Sequence, residues 1–414
     1  MSTQTRSADL DAPPSRGRVH VVGAGPVGLL LAALLQSTDG YTVHLYEKRR
    51  TYTRTRMVKL APYLVADSVA SYCTDDIDEE SIAAIFDPWE IDAGLEFRRT
   101  ISADLMSLLQ GWARGFSPLN AIEQSLSELI DSRRALPVQR MPSAIAVEEA
   151  NAMLAPGDIL IDSTGCKALL RDHLVPDSAS GASGANTFQL RLEYAMIVTF
   201  LYGQAYDCNE YCKYYKNVGN AHYKFIPAVS RTSFDGSVSH VTGIVNISAE
   251  DFAAMPPQFD GAWLRAHFPE AVRSMDRFID KIRQENHGEI VGDMDIIRIP
   301  LDLYRARNAT NRRLLDAGTD DQTFTRGPVF LVGDSAMGSP YFQSISLGFE
   351  CAMYLAGLLG QRELPLRNLL DRYELFTYKQ WLRVYARSKM IKHNKDLLQC
   401  VGDDRALLEK LHIY

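Results

Sequence analysis

No stretch of this chain approaches the ~20 consecutive apolar residues that a membrane span requires. The opening residues, MSTQTRSADLDAPPSRGR, lack the apolar core of a secretory signal, so residues 1–17 are expected to form a disordered tail and the protein to be cytoplasmic, with no membrane partner. Positive charge is in deficit: 44 Lys and Arg against 51 Asp and Glu leave a net charge of −7, which argues against nucleic acid as a partner. Cysteine is sparse, six residues scattered along 414, as expected of reduced thiols rather than a disulfide framework. Cys208 and Cys212 lie close together, but no second pair at ligand spacing follows, so no metal site is expected. No Ser/His/Asp or Cys/His constellation and no paired carboxylates at defined spacing are legible, which leaves hydrolytic chemistry without machinery. The remaining composition, 46% hydrophobic and 23% charged, is that of an ordinary globular enzyme long enough for two domains.

The densest information lies between Arg18 and Glu47. A hydrophobic run (Val19, Val21, Val22) enters Gly23-Ala24-Gly25-Pro26-Val27-Gly28, an apolar helical segment follows, and a second strand from Tyr41 to Tyr46 ends at Glu47 and Lys48. Gly23 permits the tight turn, Gly25 lets backbone approach a pyrophosphate, and Gly28 lets the helix pack close to the sheet. The helix start offers free N–H groups and partial positive charge to phosphates. Glu47 follows Gly28 near the ~20-residue spacing expected of a carboxylate that grips ribose hydroxyls. Strand, glycines, helix, strand and acid in this order predict a site for FAD or NAD.

Beyond Lys48 a basic stretch leads into a helical pattern through Ala70, followed by an acidic surface segment, Thr74 to Glu80. Helices are predicted at Ile101 to Leu109 and Ala121 to Leu129. A short buried strand ends at Asp162, and a Ser/Ala/Gly-rich connector from Asp177 to Asn186 reads as a boundary. Long β-type runs then cover Phe188 to Gly203, Asn220 to Val229 and Ser239 to Ser248. Helix is predicted from Phe252 to Arg283 and a strand from Asp295 to Pro300. The strand Pro328 to Val332 feeds Gly333-Asp334 ahead of a long helix to Leu359, and amphipathic helices are expected from Pro365 onward. The fold class predicted is α/β: a Rossmann-like βαβ domain for FAD, built from 18–185 and 288–360, with an inserted β-rich substrate domain at 186–287 and C-terminal helices at 361–414.

Three motifs in order, spread over residues 18 to 360, resemble those of FAD-dependent monooxygenases of the aromatic-hydroxylase type, including kynurenine monooxygenase and the flavin domains of MICAL proteins. In EKRRTYTRTR, the resemblance puts an arginine near the flavin, at Arg54 or Arg56. In GPVFLVGDSAMGSPYFQSISLGFE, it implies that Gly333 and Asp334 meet the ribityl chain, with Pro340 ahead of a helix aimed at the flavin through Ser344, Ile345 and Ser346. A helix N-terminus there favours an electron-rich reduced ring. Phe342-Gln343-Ser344-Ile345-Ser346 stands where the family has Gly-x-Gly-x-Asn, and Met337 where it has His. The middle motif keeps only Gly165 and Arg171 of the family pattern. Asp162-Ser163-Thr164-Gly165 is instead similar to the Asp-x-x-Gly of flavin-dependent halogenases and geranylgeranyl reductases, which implies FAD contacts by Asp162 and Gly165. The family's arginine near residue 104 is absent from Ser102-Ala103-Asp104-Leu105, and the halogenases' tryptophan-rich signature is missing.

The resemblance implies an oxidoreductase that uses FAD, with NADPH or NADH as co-substrate and O2 as oxidant, and that transfers oxygen to a small aromatic or natural-product-like molecule through a flavin C4a-hydroperoxide. A non-oxygenating FAD-binding cyclase or isomerase is the alternative, and a homodimer is compatible with the amphipathic C-terminal helices. Arg54, Arg56, His222 and Arg298 are the candidate catalytic residues. His222 on a strand of the inserted domain either meets substrate or completes the sheet. Arg298 and Arg191 either face a pocket or serve the strands that carry them. The tyrosines at 206, 211, 214 and 215 either line an aromatic pocket or decorate a loop. Met337 and Phe342 line the flavin cavity or simply pack, and Cys351 packs in the core.

Overall fold

The computed structural model describes residues 11, 17–38, 40–65, 101–135, 137–155, 157–168, 170–177, 186–207, 222–233, 235–316, 327–340 and 344–400. The chain divides into two compact units, Met1–Gln189 with Leu303–Tyr385, and Leu190–Asp302 with Ala386–Tyr414.

The first unit is organised by a five-stranded parallel sheet. Strand β1 (Arg18–Val22) leads through the glycine turn into helix α1 (Pro26–Gln36) and strand β2 (Thr42–Tyr46). A two-stranded antiparallel ribbon, β3 (Met57–Val58) with β4 (Ser117–Pro118), flanks helices α2 (Ala103–Arg114) and α3 (Leu119–Ser132). Then come β5 (Gln139–Met141), α4 (Val147–Ala152), β6 (Ile159–Asp162) and α5 (Arg171–Leu174). Two long strands, β7 (Thr187–Tyr202) and β10 (Ile290–Ala306), cross the unit boundary. Between them lie β8 (Phe225–Thr232), β9 (Ser239–Ile247), α6 (Ala249–Ala254), α7 (Gly261–His267) and α8 (Pro269–Asn286). The chain ends with α9 (Arg312–Asp316), β11 (Val329–Leu331), β12 (Met337–Gly338), α10 (Ser344–Gly360) and α11 (Leu366–Cys400).

The parallel sheet runs β11-β6-β1-β2-β5. Its central strands β6 and β1 are buried on both faces because both faces are covered, His20 of β1 included. Ile159 and Ile161 join the core formed with α1, α3 and α10, whereas Leu160 joins the core formed with α4 and α5. The same alternation sends Phe330 one way and its neighbours Val329 and Leu331 the other. Helix α1 is buried almost all round, which explains its unbroken run of leucine and alanine. Strand β11, more than 160 residues after β6 in the chain, pairs with it in parallel from Val329↔Leu160 to Leu331↔Asp162. The late Gly333-Asp334 corner is thereby carried to the same carboxyl end of the parallel strands as the front glycine turn.

In the second unit the strands follow the order β10-β7-β9-β8. One face of β7 contributes Met196, Val198, Phe200 and Tyr202 to a core with Val272, Met275, Phe278 and Ile282 of α8. Alternate positions along β7 thus fill the core, as a one-sided antiparallel sheet demands.

Four local expectations are corrected. The helical pattern expected after Lys48 is instead the β3 strand and a single 3₁₀ turn at Pro62–Val65; residues 66–70 lie outside the described set, as does the acidic stretch 74–80. Helix from Phe252 to Arg283 is broken into three: Pro256 and Pro257 interrupt it, the Asp260 side chain caps α7 by accepting from the Trp263 N–H at 2.7 Å, and Pro269 opens α8. The strand at Asp295 to Pro300 is the middle of a 17-residue strand. His222 precedes β8 rather than lying on it. No helix among the described residues is long and apolar enough to cross a membrane.

Candidate active site

A cavity of about 450 Å³ opens in the first unit, within the range of small-molecule sites. Its wall begins at the front turn. Gly23 has φ +102°, a conformation that a side chain would strain. Gly28 does not reach the cavity; a Cβ there would stand 1.9 Å from the Gly23 carbonyl oxygen and 2.6 Å from Ser163 Oγ, so α1 approaches the turn only because that position is bare. Gly25, extended at φ −73° and ψ −178°, caps α1 and lines the cavity with Pro26 and Val27.

The late corner arrives on the other side of Val27. Both methyls of Val27 lie 3.2 Å from where a Gly333 Cβ would stand, and one lies 2.5 Å from where a Gly348 Cβ would stand. The start of α1, the Gly333 turn and α10 are thus packed on a single side chain. Gly333, with φ +64°, supports the corner while Asp334 lines the cavity. Tyr304 fixes the corner by donating its hydroxyl to the Asp334 carbonyl at 2.8 Å. Among the described residues no hydrogen bond occupies the Asp334 carboxylate. Burial pushes that carboxyl up from its ordinary range, and the charges of Arg56 and Arg54 oppose the shift. Ser344 and Ile345 bring the N-terminus of α10 to the wall, whereas Ser346 is committed elsewhere: its hydroxyl accepts from the Ala61 N–H at 2.9 Å.

Glu47 and Lys48 line the end of β2. The Glu47 carboxylate accepts from the Ala24 N–H at 3.1 Å and forms a two-point pair with Arg49, at 3.1 Å from Nε and 3.0 Å from Nη2. Burial alone would raise its carboxyl; Arg49 and the backbone donors outweigh burial and hold it below the usual range. Arg54 and Arg56 both line the cavity. Arg54 Nη2 lies 3.5 Å from a hypothetical Cβ on Gly25, and of the two charges that of Arg56 acts more strongly on Asp334. Arg54 also pairs with Glu123 of α3, whose side chain is fully buried. With Arg49 and Lys167 the lining holds five cationic side chains against the carboxylates of Glu47 and Asp334, an excess suited to phosphate.

Gly165, at φ +88°, lines the cavity with Thr164. Asp162 does not: it is fully buried, accepts from the Thr164 N–H at 2.9 Å, the Thr164 hydroxyl at 2.7 Å and the Ser335 hydroxyl at 3.0 Å, and its other oxygen has no partner. It ties the Thr164 turn to the Gly333 corner, a scaffold role in place of the expected cofactor contact. Arg171 supports the same corner through the Ser335 carbonyl at 3.4 Å. The start of α3, not of α2, enters the site: Leu119 lines the cavity, while Asp104 pairs with Arg133.

His222 and Arg298 belong to the second unit. His222 is exposed, its ring 4.5 Å from that of Tyr223. Arg298 holds the end of α6: its Nε donates to the Pro256 carbonyl at 3.0 Å, another nitrogen donates to the Phe252 carbonyl, and it lies over the Phe252 ring. Arg191 pairs with Asp302 and covers Tyr194. Tyr206 packs against Phe278 in the core; the tyrosines at 211, 214 and 215, and Phe342, lie outside the described residues. Met337 is buried in β12 opposite Arg305, and Cys351 is buried in α10.

Sequence reading missed Arg49, Lys167 and Glu123. Glu123 carried a signal: it falls on the same helical face as Leu119, Ile122, Leu126 and Ile130, where an acid is out of place.

A family model for the NAD(P)-binding Rossmann-like domain matches residues 21–72. No curated protein matches the chain in sequence. Among solved structures it is similar to CtdE, solved in complex with FAD and a substrate, at 13% identity and a TM-score of 0.53, over 94% of this chain and 91% of CtdE. It is also similar to BexE, studied for oxidation during BE-7585A biosynthesis, at 17% identity and a TM-score of 0.50, over 97% of this chain and 76% of BexE. At such identities the shared property is the fold.

Proposed function

We propose that the protein is an FAD-dependent monooxygenase that uses NADH or NADPH and O2 to oxidise a small aromatic or natural-product-like molecule. The observation that carries the reading is the convergence of Gly25, Glu47 and Asp334 on one cavity. The residues suit the cofactor: bare Gly25 and the α1 N-terminus for the diphosphate, Glu47 for the adenosine ribose, and the unengaged Asp334 carboxylate for the ribityl hydroxyls. Gly165, Ser344 and Ile345 complete the wall, with the α10 N-terminus favouring negative charge on the ring. When bound, FAD supplies the redox chemistry, accepting a hydride and activating O2. This chain's part is to orient the ring, exclude water and set the local charge, with Arg56 beside Asp334 as the candidate catalytic cation. The β-rich second unit is assigned the substrate, and FAD-bound CtdE and the oxidation studied in BexE support the reading.

The test is anaerobic mixing of the flavin-loaded protein with NADPH or NADH, with and without aromatic candidates. Bleaching of the flavin that accelerates with a candidate, followed by an oxygenated product when air is admitted, is the expected result. Absence of bleaching by either nicotinamide, together with turnover of a candidate, would replace the monooxygenase with the non-oxygenating cyclase or isomerase.

A further inference from the structure

We propose that Glu123 is a positioning residue whose buried carboxylate holds the Arg54 guanidinium at the start of α1, making Arg54 a diphosphate contact rather than a flavin-ring residue. The inference rests on the FAD reading above.

Three observations carry it. First, Glu123 is in the wrong place for a residue chosen for stability. Its side chain is fully buried on the apolar face of α3, and one carboxylate oxygen has no partner. A buried acid with an unsatisfied oxygen costs more than an apolar residue of similar volume. The cost is offset by its pair with Arg54, with Arg49 a second cation at 3.7 Å.

Second, Arg54 needs holding. Its side chain is 45% exposed, and a long exposed arginine carries rotamer freedom that binding would otherwise have to remove. The backbone of this segment is already docked on α3: the Asn120 N–H donates to the Arg54 carbonyl at 2.8 Å and the Leu119 N–H to the Arg56 carbonyl at 2.9 Å. The Glu123 carboxylate completes that docking at the guanidinium.

Third, the position it holds is the diphosphate end. The guanidinium stands beside bare Gly25, where the free N–H groups of α1 converge. Leu119, which α3 contributes to the cavity wall, is apolar, so a cation at this point comes from the segment after β2. Arg49 is engaged by Glu47 at two points. Arg54 and Arg56 both act on the Asp334 charge, Arg56 more strongly than Arg54, and only Arg54 pairs with Glu123. The two arginines that sequence alone left interchangeable are thus told apart by the Glu123 pair and the Gly25 position of Arg54.

The test titrates flavin-stripped protein with FAD and, separately, with riboflavin, which lacks the diphosphate, following flavin fluorescence. Arg54→Ala is expected to weaken FAD by at least about tenfold, the value of a charge-assisted hydrogen bond, and to leave riboflavin unchanged. Glu123→Gln is expected to weaken FAD alone, and the double variant to bind FAD no worse than Arg54→Ala. Equal weakening of both ligands, an unchanged FAD affinity in Arg54→Ala, or additive losses in the double variant would overturn the proposal. If Glu123→Gln loses its cooperative unfolding, Arg54→Ala against Arg54→Lys decides: retained FAD binding by lysine and loss by alanine supports it, and equal binding by both overturns it. Failure of the unaltered protein to bind FAD would instead overturn the FAD reading itself.

Discussion

Gly348→Ala tests whether the front turn and the late corner form one body. The new methyl would stand 2.5 Å from a Val27 methyl, well inside van der Waals contact. Val27 has little room to yield: its β-branched χ1 is stiff in a helix, and both its methyls already face Gly333. Overpacking of this kind costs about 1–3 kcal/mol, against a helix-propensity gain of about 1 kcal/mol for replacing glycine within α10. The net expectation is destabilisation by up to about 2 kcal/mol, with α10 pushed off the cavity. Val27→Ala removes the obstructing methyls, so Gly348→Ala in that background should become neutral or stabilising. Urea unfolding of the four proteins measures the coupling, expected at about 1–3 kcal/mol for residues in direct contact. Additive effects of the two substitutions would refute the packing argument.

Asp334→Asn should weaken FAD by about tenfold to a hundredfold through loss of charged hydrogen-bond acceptors, with unfolding midpoints little changed; an unaltered affinity in the titration would remove Asp334 from the site. His20, buried against His44, is held below its ordinary value of 6.5 by burial first and the His44 charge second, with Asp158 opposing. The unfolded chain therefore binds more protons, so the His20 contribution is complete above pH 6.5 and is lost as pH falls toward the depressed folded value. His20→Gln should shrink the stability loss between neutral and mildly acidic pH, and unfolding curves whose pH dependence matches the parent would contradict this. The Cys351 thiol is pushed up to about 12 by burial, so site-resolved mass spectrometry should find it unlabelled by thiol reagents in the native state while exposed Cys166 reacts; native labelling of Cys351 would contradict its packing role.

The features legible in the sequence were those with local signatures. Gly23 and Gly28 announce themselves because a side chain there would strain a turn or meet a carbonyl oxygen, and the apolar residues Val19, Val21 and Val22 of β1 and Ile159, Leu160 and Ile161 of β6 announce a sheet covered on both faces. The Leu-Val-Gly-Asp corner was readable for the same reason. Tertiary pairing was not: Arg54 and Glu123 are 69 residues apart, and nothing near Arg54 names its partner. Asp162 misled because an acid at a strand end looks the same whether it faces a ligand or, as here, binds Thr164 and Ser335. Arg298 misled because a strand position does not reveal that Phe252 and Pro256 present their carbonyls to it.

The central claim is that one FAD is held jointly by the glycine turn and the Gly333-Asp334 corner. Equilibrium titration of flavin-stripped protein with FAD tests it most directly, run alongside Gly25→Val and Asp334→Asn. A single site per chain, weakened by either substitution alone, is the expected result. A protein that binds no FAD, or binds it equally well with both residues replaced, would contradict it.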